Sequence, residues 1–298
     1  MDGVLLIDKP SGPTSHDVVA RLRAVTGERS IGHTGTLDPL ATGLLPLVLG
    51  RATRLSAHLT GGEKTYDATL RLGFATDTDD ALGQPLGPAT ADLPGDAAID
   101  AALARFRGTF DQVPPSHSAK KVAGRKAYDL ARQDAPMTLE PVSVTVSRLE
   151  STGRDGDRLQ VTVAATAGFY VRALARDLGQ ALGCGAHLSA LRRTRSGRFD
   201  IADAIPLAEA ERLGAAVGAR VIPPAEALAD LPAVTVTPLG LRRVLHGNPL
   251  SPEHLAGRFV PPAGAPGGGP VRILDADGRL VALAHSRGGA LHPAVVLG

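Results

Sequence analysis

Apolar and polar positions along the 298-residue chain follow two periods, and these mark out its elements. Residues 4–7 (Val-Leu-Leu-Ile) form a short apolar run closed by Lys9-Pro10 and the turn residues Ser11, Gly12 and Pro13, the pattern of a buried strand. Thr14 or Ser15 then caps a helix with the stripe Val18, Val19, Leu22 and Val25, stopped by Gly27. Over 65–75, Tyr66, Ala68, Leu70, Leu72 and Phe74 share one face and Asp67, Thr69 and Arg71 the other, which predicts a half-buried strand. Residues 142–149 and 159–165 alternate likewise, and the polar stretch 153–157 between them reads as a hairpin loop. Helical spacing covers 97–107, 126–133 and 171–182. In the last, Val171, Leu174, Leu178 and Leu182 make the apolar stripe, while Arg172 and Arg176 stand one turn apart on a polar face.

Strands and helices mix without regular βαβ alternation, so the fold class expected is α+β. A boundary is expected near 223–232, after the Ala-rich helical stretch 207–217. Beyond it the chain changes character. Val234-Thr-Val-Thr is strand-like, 261–270 is mostly Gly and Pro, and 271–285 reads as a hairpin turning at Asp277-Gly278. A small β-rich unit of roughly 65 residues is near the lower limit for an independent domain.

Composition narrows the function classes. Apolar residues make up 43% of the chain, and no run reaches the ~18 residues of a membrane helix. The opening MDGVLLIDKPSGPTS lacks a basic n-region and an h-region, so a cytoplasmic protein is expected. The single cysteine, Cys184, excludes an internal disulfide framework. The net charge of +2 conceals an asymmetry: 103–133 holds seven basic residues against Asp111 and Asp129, and 168–199 holds six against Asp177. Segregated positive charge suits a polyanionic partner, and the scarcity of aromatic rings argues for reading its shape rather than stacking many bases.

Ready-made chemistry is largely excluded. The nine histidines form no zinc motif. Thr60-Gly-Gly-Glu-Lys-Thr65 is not a phosphate loop, because Glu63 interrupts it and a strand follows. Asp77-Thr-Asp-Asp80 has Ala81 and no following Gly where a calcium loop needs a ligand and a turn. Ser15-His16-Asp17 is a helix start, not a triad. What stands out is Gly32-His-Thr-Gly-Thr-Leu-Asp-Pro-Leu-Ala-Thr-Gly43, suited to a rigid loop that approaches a ligand. Asp38 is the only acid between Glu28 and Glu63.

This stretch resembles the catalytic motif of the tRNA pseudouridine synthase B family. Further blocks resemble that family in order: Leu6 to Ser15, Lys64-Thr-Tyr66, the spaced set Gly73, Thr76, Thr78, Asp79 and Gly83, then Val113 to Gly124 with Tyr128, Ala131 and Arg132. Gly168 to Arg172, Gly183 to His187 and Leu191 to Gly197 complete the series. Phe169 and Lys120 depart from the family's usual residues. The resemblance implies a catalytic domain over 1–230 with a mixed, largely antiparallel sheet flanked by helices and an RNA-contacting insertion at about 105–135. It implies a PUA-like RNA-binding domain over 231–298.

The activity implied is isomerisation of uridine 55 in the T loop of tRNA, by flipping the base and moving its glycosidic bond from N1 to C5. A monomer acting on the tRNA T stem-loop is expected, with no cofactor and no metal. Asp38 is then the catalytic carboxylate; attack on the base, attack on C1′ and removal of a ribose proton all remain open. A carboxylate in a closed pocket tends to protonate, and a bidentate Arg172 would keep it ionised. Tyr66 would stack on the flipped base and assist proton loss from C5. Tyr170 and Leu191 would wall the pocket, His33 would support the opened loop, and Lys9 would contribute to the substrate site by bracing it. Lys120, Lys121, Arg125, Lys126, Arg192, Arg193, Arg195 and Arg198 are assigned to RNA phosphates, contacts that supply affinity rather than base specificity. A synthase acting on another RNA, or an RNA chaperone without essential catalysis, are the competing readings.

Overall fold

A computed structural model describes residues 1–116, 139–257 and 269–298, plus the backbone of two short paired strands between the first two segments. The strands, in chain order, are β1 (Gly3–Lys9), β2 (Ile31–His33), β3 (Thr42–Leu49), β4 (Lys64–Leu72), β5 (Gly108–Gln112), β6 (Lys121–Val122), β7 (Arg125–Lys126), β8 (Val142–Asp155), β9 (Arg158–Ala165), β10 (Ala186–Ser196), β11 (Phe199–Asp200), β12 (Ile205–Pro206), β13 (Ala233–Thr235), β14 (Val271–Leu274), β15 (Leu280–Arg287) and β16 (Ala290–Val296). Ten of them form one sheet in the order β12-β1-β3-β10-β4-β9-β8-β5, with β2 on β3 and β11 on β10. Only β1/β12 and β3/β10 pair in parallel, so the fold is α+β with a mixed, largely antiparallel sheet.

The hydrophobic pattern explains the layering. Successive side chains of a strand point to opposite faces. In β1, Leu5 and Ile7 enter one core while Val4 and Leu6 enter another; β3 divides its leucines the same way. Both faces are covered there, which is why β1 reads as an unbroken apolar run. In β4 only the face of Tyr66, Ala68, Leu70 and Leu72 is buried, as the alternation predicts. Helices Ser15–Thr26 and Val171–Leu182 cover that first core. The former is capped by Thr14 in a capping box with Asp17 and ends at Gly27, whose φ of 72° suits glycine.

Several details differ from the pattern: β4 ends at Leu72, so Phe74 lies beyond it, and the helix expected over 97–107 ends at Ala104. The β8–β9 hairpin turns on Gly156-Asp157 alone, because Asp155 still pairs with Arg158; the polar residues from 153 onward are solvated strand, not loop. Gly108–Gln112 is the edge strand of the main sheet although the expected insertion includes it. The helix expected over 207–217 stops at Leu213, where Gly214 (φ 54°) turns the chain into a 3₁₀ segment. The helix expected over 126–133 begins in β7 and otherwise lies outside the described residues.

Strands β13 to β16 form a second sheet with its own core around Val234, Val244, Ile273 and Leu291. Its Leu280, Leu283 and Leu297 join Val4, Leu44 and Val48 in the second core of the main sheet. Arg51 and Arg54 fasten this contact by donating to the carbonyls of Leu297 (2.8 Å) and Val296 (2.7 Å). No helix among the described residues is long and apolar enough to cross a membrane.

Candidate active site

The glycine-rich motif connects β2 to β3, and its shape is fixed by groups from distant parts of the chain. Ser15, freed from capping duty by Thr14, accepts from Leu37 N–H (2.8 Å) and donates to Leu37 C=O (3.1 Å), clamping the residue before Asp38. Gly12 N–H donates to Pro39 C=O at 2.9 Å, and Ala41 N–H to Asp38 C=O at 3.0 Å. Arg193 donates to the carbonyls of Leu44 (2.7 Å), Gly35 (3.0 Å) and Thr36 (3.5 Å). At Gly43 (φ 99°) a Cβ would lie 2.3 Å from Arg193 O, so the close approach of β10 requires glycine.

This bracing presents Asp38 at a cavity of about 240 Å³, its side chain 37% exposed. Arg172, in the first turn of Val171–Leu182, lies almost fully buried with Nε 2.9 Å from Asp38 Oδ2. The contact runs through Nε. Nη1 of the same guanidinium donates to Thr78 C=O (3.2 Å).

Behind Arg172 stands Asp80, 3.8 Å from Nε and buried. One of its carboxylate oxygens is occupied by Thr78 Oγ1 (2.8 Å) and Leu82 N–H (3.0 Å), leaving the other for the guanidinium. Asp79, at φ 62°, pairs with Arg176 (3.2 Å). Burial pushes its carboxyl above the ordinary range against the pull of Arg176 and Arg172. The sequence offers this acidic run as a failed calcium loop and as part of a family-like block, neither of which assigns Asp80 a role. The usable signal was its pairing potential: two adjacent acids match two arginines one turn apart.

Tyr66 and Lys64, two residues apart on β4, and Tyr170, Phe169 and Leu191 complete the lining named here. Tyr170 owes its place to Gln112, whose buried amide accepts from Tyr170 N–H (2.8 Å) and donates to its C=O (3.1 Å). Asp38, Tyr66, Arg172, Tyr170 and Leu191 are thus brought together as the resemblance implies.

Other expected site residues lie elsewhere. Lys9 is fully buried, its Nζ donating to the carbonyls of Pro10 (2.8 Å) and Pro13 (2.9 Å), so it braces the turn before the first helix. Desolvation pushes it down to about 8. His33 stands outside the cavity lining, its ring edge-on to His16 with centroids 5.3 Å apart, and burial holds its pKa below the usual value.

Among the proposed phosphate ligands, Arg193 is a correction. It is 1% exposed, because adjacent β10 residues face opposite sides, and Arg192 alone of the pair faces outward. Arg192 forks onto Asp8 (3.0 and 2.7 Å), while Arg195 and Arg198 pair loosely with Asp200 and Asp230 (3.7 and 3.8 Å). Lys120 and the side chains of Lys121, Arg125 and Lys126 lie outside the described residues.

Comparison with known proteins agrees with this geometry. Residues 23–171 match the TruB family pseudouridylate synthase N-terminal domain, and 172–228 match the tRNA pseudouridylate synthase B C-terminal domain. The chain is 44% identical to a tRNA pseudouridine synthase B of Dechloromonas aromatica, over 98% of this chain and 94% of the relative. It is 43% identical to that of Thermobifida fusca, over 99% and 98%. Among solved structures it is similar to one in a Cbf5-Nop10-Gar1 complex (TM-score 0.76, 29% identity, 99% of this chain and 85% of that one). It is also similar to one in an H/ACA ribonucleoprotein bound to a substrate RNA containing 2′-deoxyuridine (TM-score 0.75, 27% identity, again 99% and 85%).

Proposed function

Because the chain belongs to the TruB family of pseudouridylate synthases, we propose that the cavity beside Asp38 receives the uridine at position 55 of the tRNA T loop, flipped out of its stack. The protein is a tRNA pseudouridine synthase. The observation that carries the site assignment is the Asp38–Arg172 pair, a carboxylate held 2.9 Å from a buried guanidinium in the lining of the cavity.

Isomerisation exchanges a C1′–N1 bond for a C1′–C5 bond with no net oxidation, so the residues must orient the base and manage charge. Asp38 acts on the sugar or base, since glycosyl transfer develops positive charge on the ribose that an adjacent carboxylate stabilises. Arg172, backed by Asp80, fixes the orientation of that carboxylate. Tyr66 offers a ring for the flipped base and a hydroxyl for proton loss from C5. Tyr170 and Leu191 close the walls. Extruding the base costs a few kcal/mol, and contacts with the cavity lining offset it.

Arg192, Arg195 and Arg198 lie on the outward side of β10 or just beyond it and serve the RNA backbone; His33, near the outer end of the motif, supports the opened loop. We assign residues 1–230 to catalysis and 231–298 to a PUA-like unit that binds RNA, in a monomer of the cytoplasm. Identity of 43–44% to tRNA enzymes, against 27–29% to the ribonucleoprotein subunits, favours tRNA over a guide-directed substrate. Mass mapping of tRNA from cells lacking this protein tests the assignment: uridine is expected to replace pseudouridine at T-loop position 55. An unchanged modification there, or a loss at another site alone, would overturn it.

A further inference from the structure

The cavity carries more positive charge than the mechanism above employs. Its lining holds one carboxylate, Asp38, and three cations, Lys64, Arg172 and Arg193. Arg172 is matched by Asp38 and Asp80. Lys64 and Arg193 are 7% and 1% exposed, and their partners are backbone carbonyls alone. Among the described residues neither forms an ion pair with a carboxylate. Burying charge without a counter-ion is costly, and protein sites that tolerate it are enriched in function.

Arg193 is committed to the motif loop, but Lys64 is not fully committed. An ammonium has three N–H donors. Two of those on Lys64 go to the carbonyls of Thr60 (2.6 Å) and Gly62 (2.7 Å), which leaves one. The side chain packs beside the catalytic loop, where a Cβ on Gly35 would sit 3.6 Å from Lys64 Cε, and it shares the face of β4 with Tyr66.

We propose that Lys64 is a further catalytic residue: its third N–H and its charge bind the uracil base as the base leaves the ribose as an anion. The inference rests on the assignment of this cavity to uridine. When C1′–N1 breaks, its electron pair departs with N1, giving a uracil monoanion whose charge is shared by N1, O2 and O4. C1′ is satisfied by a bond to the Asp38 carboxylate or, where Asp38 removes the 2′ proton, by a C1′=C2′ double bond. C5 of the anion then bonds to C1′, the carboxylate is released or returns its proton, C5 loses its proton and N1 gains one. Nothing is oxidised or reduced. A cation that lacks a counter-ion until the base detaches favours the separated state over bound uridine, which is the differential that catalysis needs. Desolvation, with the charge of Arg193 alongside, pushes Lys64 down to about 8, consistent with its burial away from any carboxylate.

The test compares leaving groups. T-stem-loop RNA carrying uridine or 5-fluorouridine at the target position is reacted under single-turnover conditions, and loss of the target nucleoside is followed by chromatography of nuclease digests. Fluorine withdraws electrons, so the detached base needs less stabilisation. Lys64→Met keeps the aliphatic stem and is expected to slow uridine conversion by about 10²-fold, the effect of removing one donor to a developing anion. The deficit on 5-fluorouridine is expected to be at least about tenfold smaller. Because both rates come from one preparation, their ratio does not depend on the folded fraction. Lys64→Gln, which retains N–H donors for Thr60 and Gly62, supplies the same ratio if the Met variant does not fold. Equal deficits on the two substrates, or no deficit, would overturn the inference. A wild-type protein inactive on uridine would overturn the assignment of the cavity itself, and the inference with it.

Discussion

Replacing Arg193 by methionine separates a loop clamp from an RNA contact. The side chain donates to the carbonyls of Leu44, Gly35 and Thr36 at 2.7, 3.0 and 3.5 Å, two good charge-assisted bonds and one long one. Each good bond to a charged group contributes about 1.5–3 kcal/mol, and removing the buried cation recovers part of its desolvation cost, so the net loss is about 2–4 kcal/mol. For a chain above 200 residues, at roughly 2–3 °C per kcal/mol, the thermal midpoint should fall by about 4–12 °C. Calorimetry of Arg193→Met beside Arg192→Ala provides the comparison, with RNA affinity measured at several salt concentrations. Arg192→Ala, which loses only a half-exposed pair with Asp8, should leave the midpoint nearly unchanged and reduce the salt slope by about one. If Arg193→Met kept its midpoint and lowered the salt slope instead, the burial argument would be refuted and Arg193 would return to the phosphate surface.

Three further outcomes follow from the same geometry. Thr14→Ala removes the capping box with Asp17 and should cost about 1 kcal/mol in urea unfolding while leaving RNA affinity unchanged. Gln112→Ala strips two hydrogen bonds from the backbone of Tyr170 and should lower kcat/KM by about tenfold, read in steady-state kinetics on T-stem-loop RNA. Lys9 is held near 8 when folded against 10.5 as its ordinary value; between those values the unfolded chain carries the extra proton, so this contribution to stability rises with pH over that window. Lys9→Met should flatten the rise in the urea midpoint between pH 8 and 10.5, and an undiminished rise would assign it to other groups.

Where a residue's neighbours lie along its own strand or helix, the sequence was legible. Alternation placed Tyr66 on the buried face of β4, and 3.6-residue spacing placed Arg172 at the head of Val171–Leu182, bounded by Gly183. The glycine-rich motif was legible as a loop because its glycines and proline suit no helix, although Leu37 and Ala41 within it join the core. What escaped depends on contacts between strands far apart in sequence. Charge counting took Arg192 and Arg193 as one patch, whereas pairing of β10 between β3 and β4 sends one outward and the other beneath Gly35. Asp80 became meaningful only when its loop met Arg172, and Gln112 only when the edge strand met Tyr170. Lys64 belongs to the Lys-Thr-Tyr motif, yet its burial without a counter-ion is a property of the assembled cavity.

In the proposed reaction the Asp38 carboxylate, set against Arg172, carries out the chemistry and is not merely a turn residue. Tritium release from C5 of the target uridine in a labelled T-stem-loop transcript tests this most directly, with wild-type protein compared with Asp38→Asn at saturating concentrations. Release should be complete with the wild type and absent with the variant, which should still retain the RNA on a filter. Equal release from both proteins would mean that the Asp38 carboxylate takes no part in the reaction.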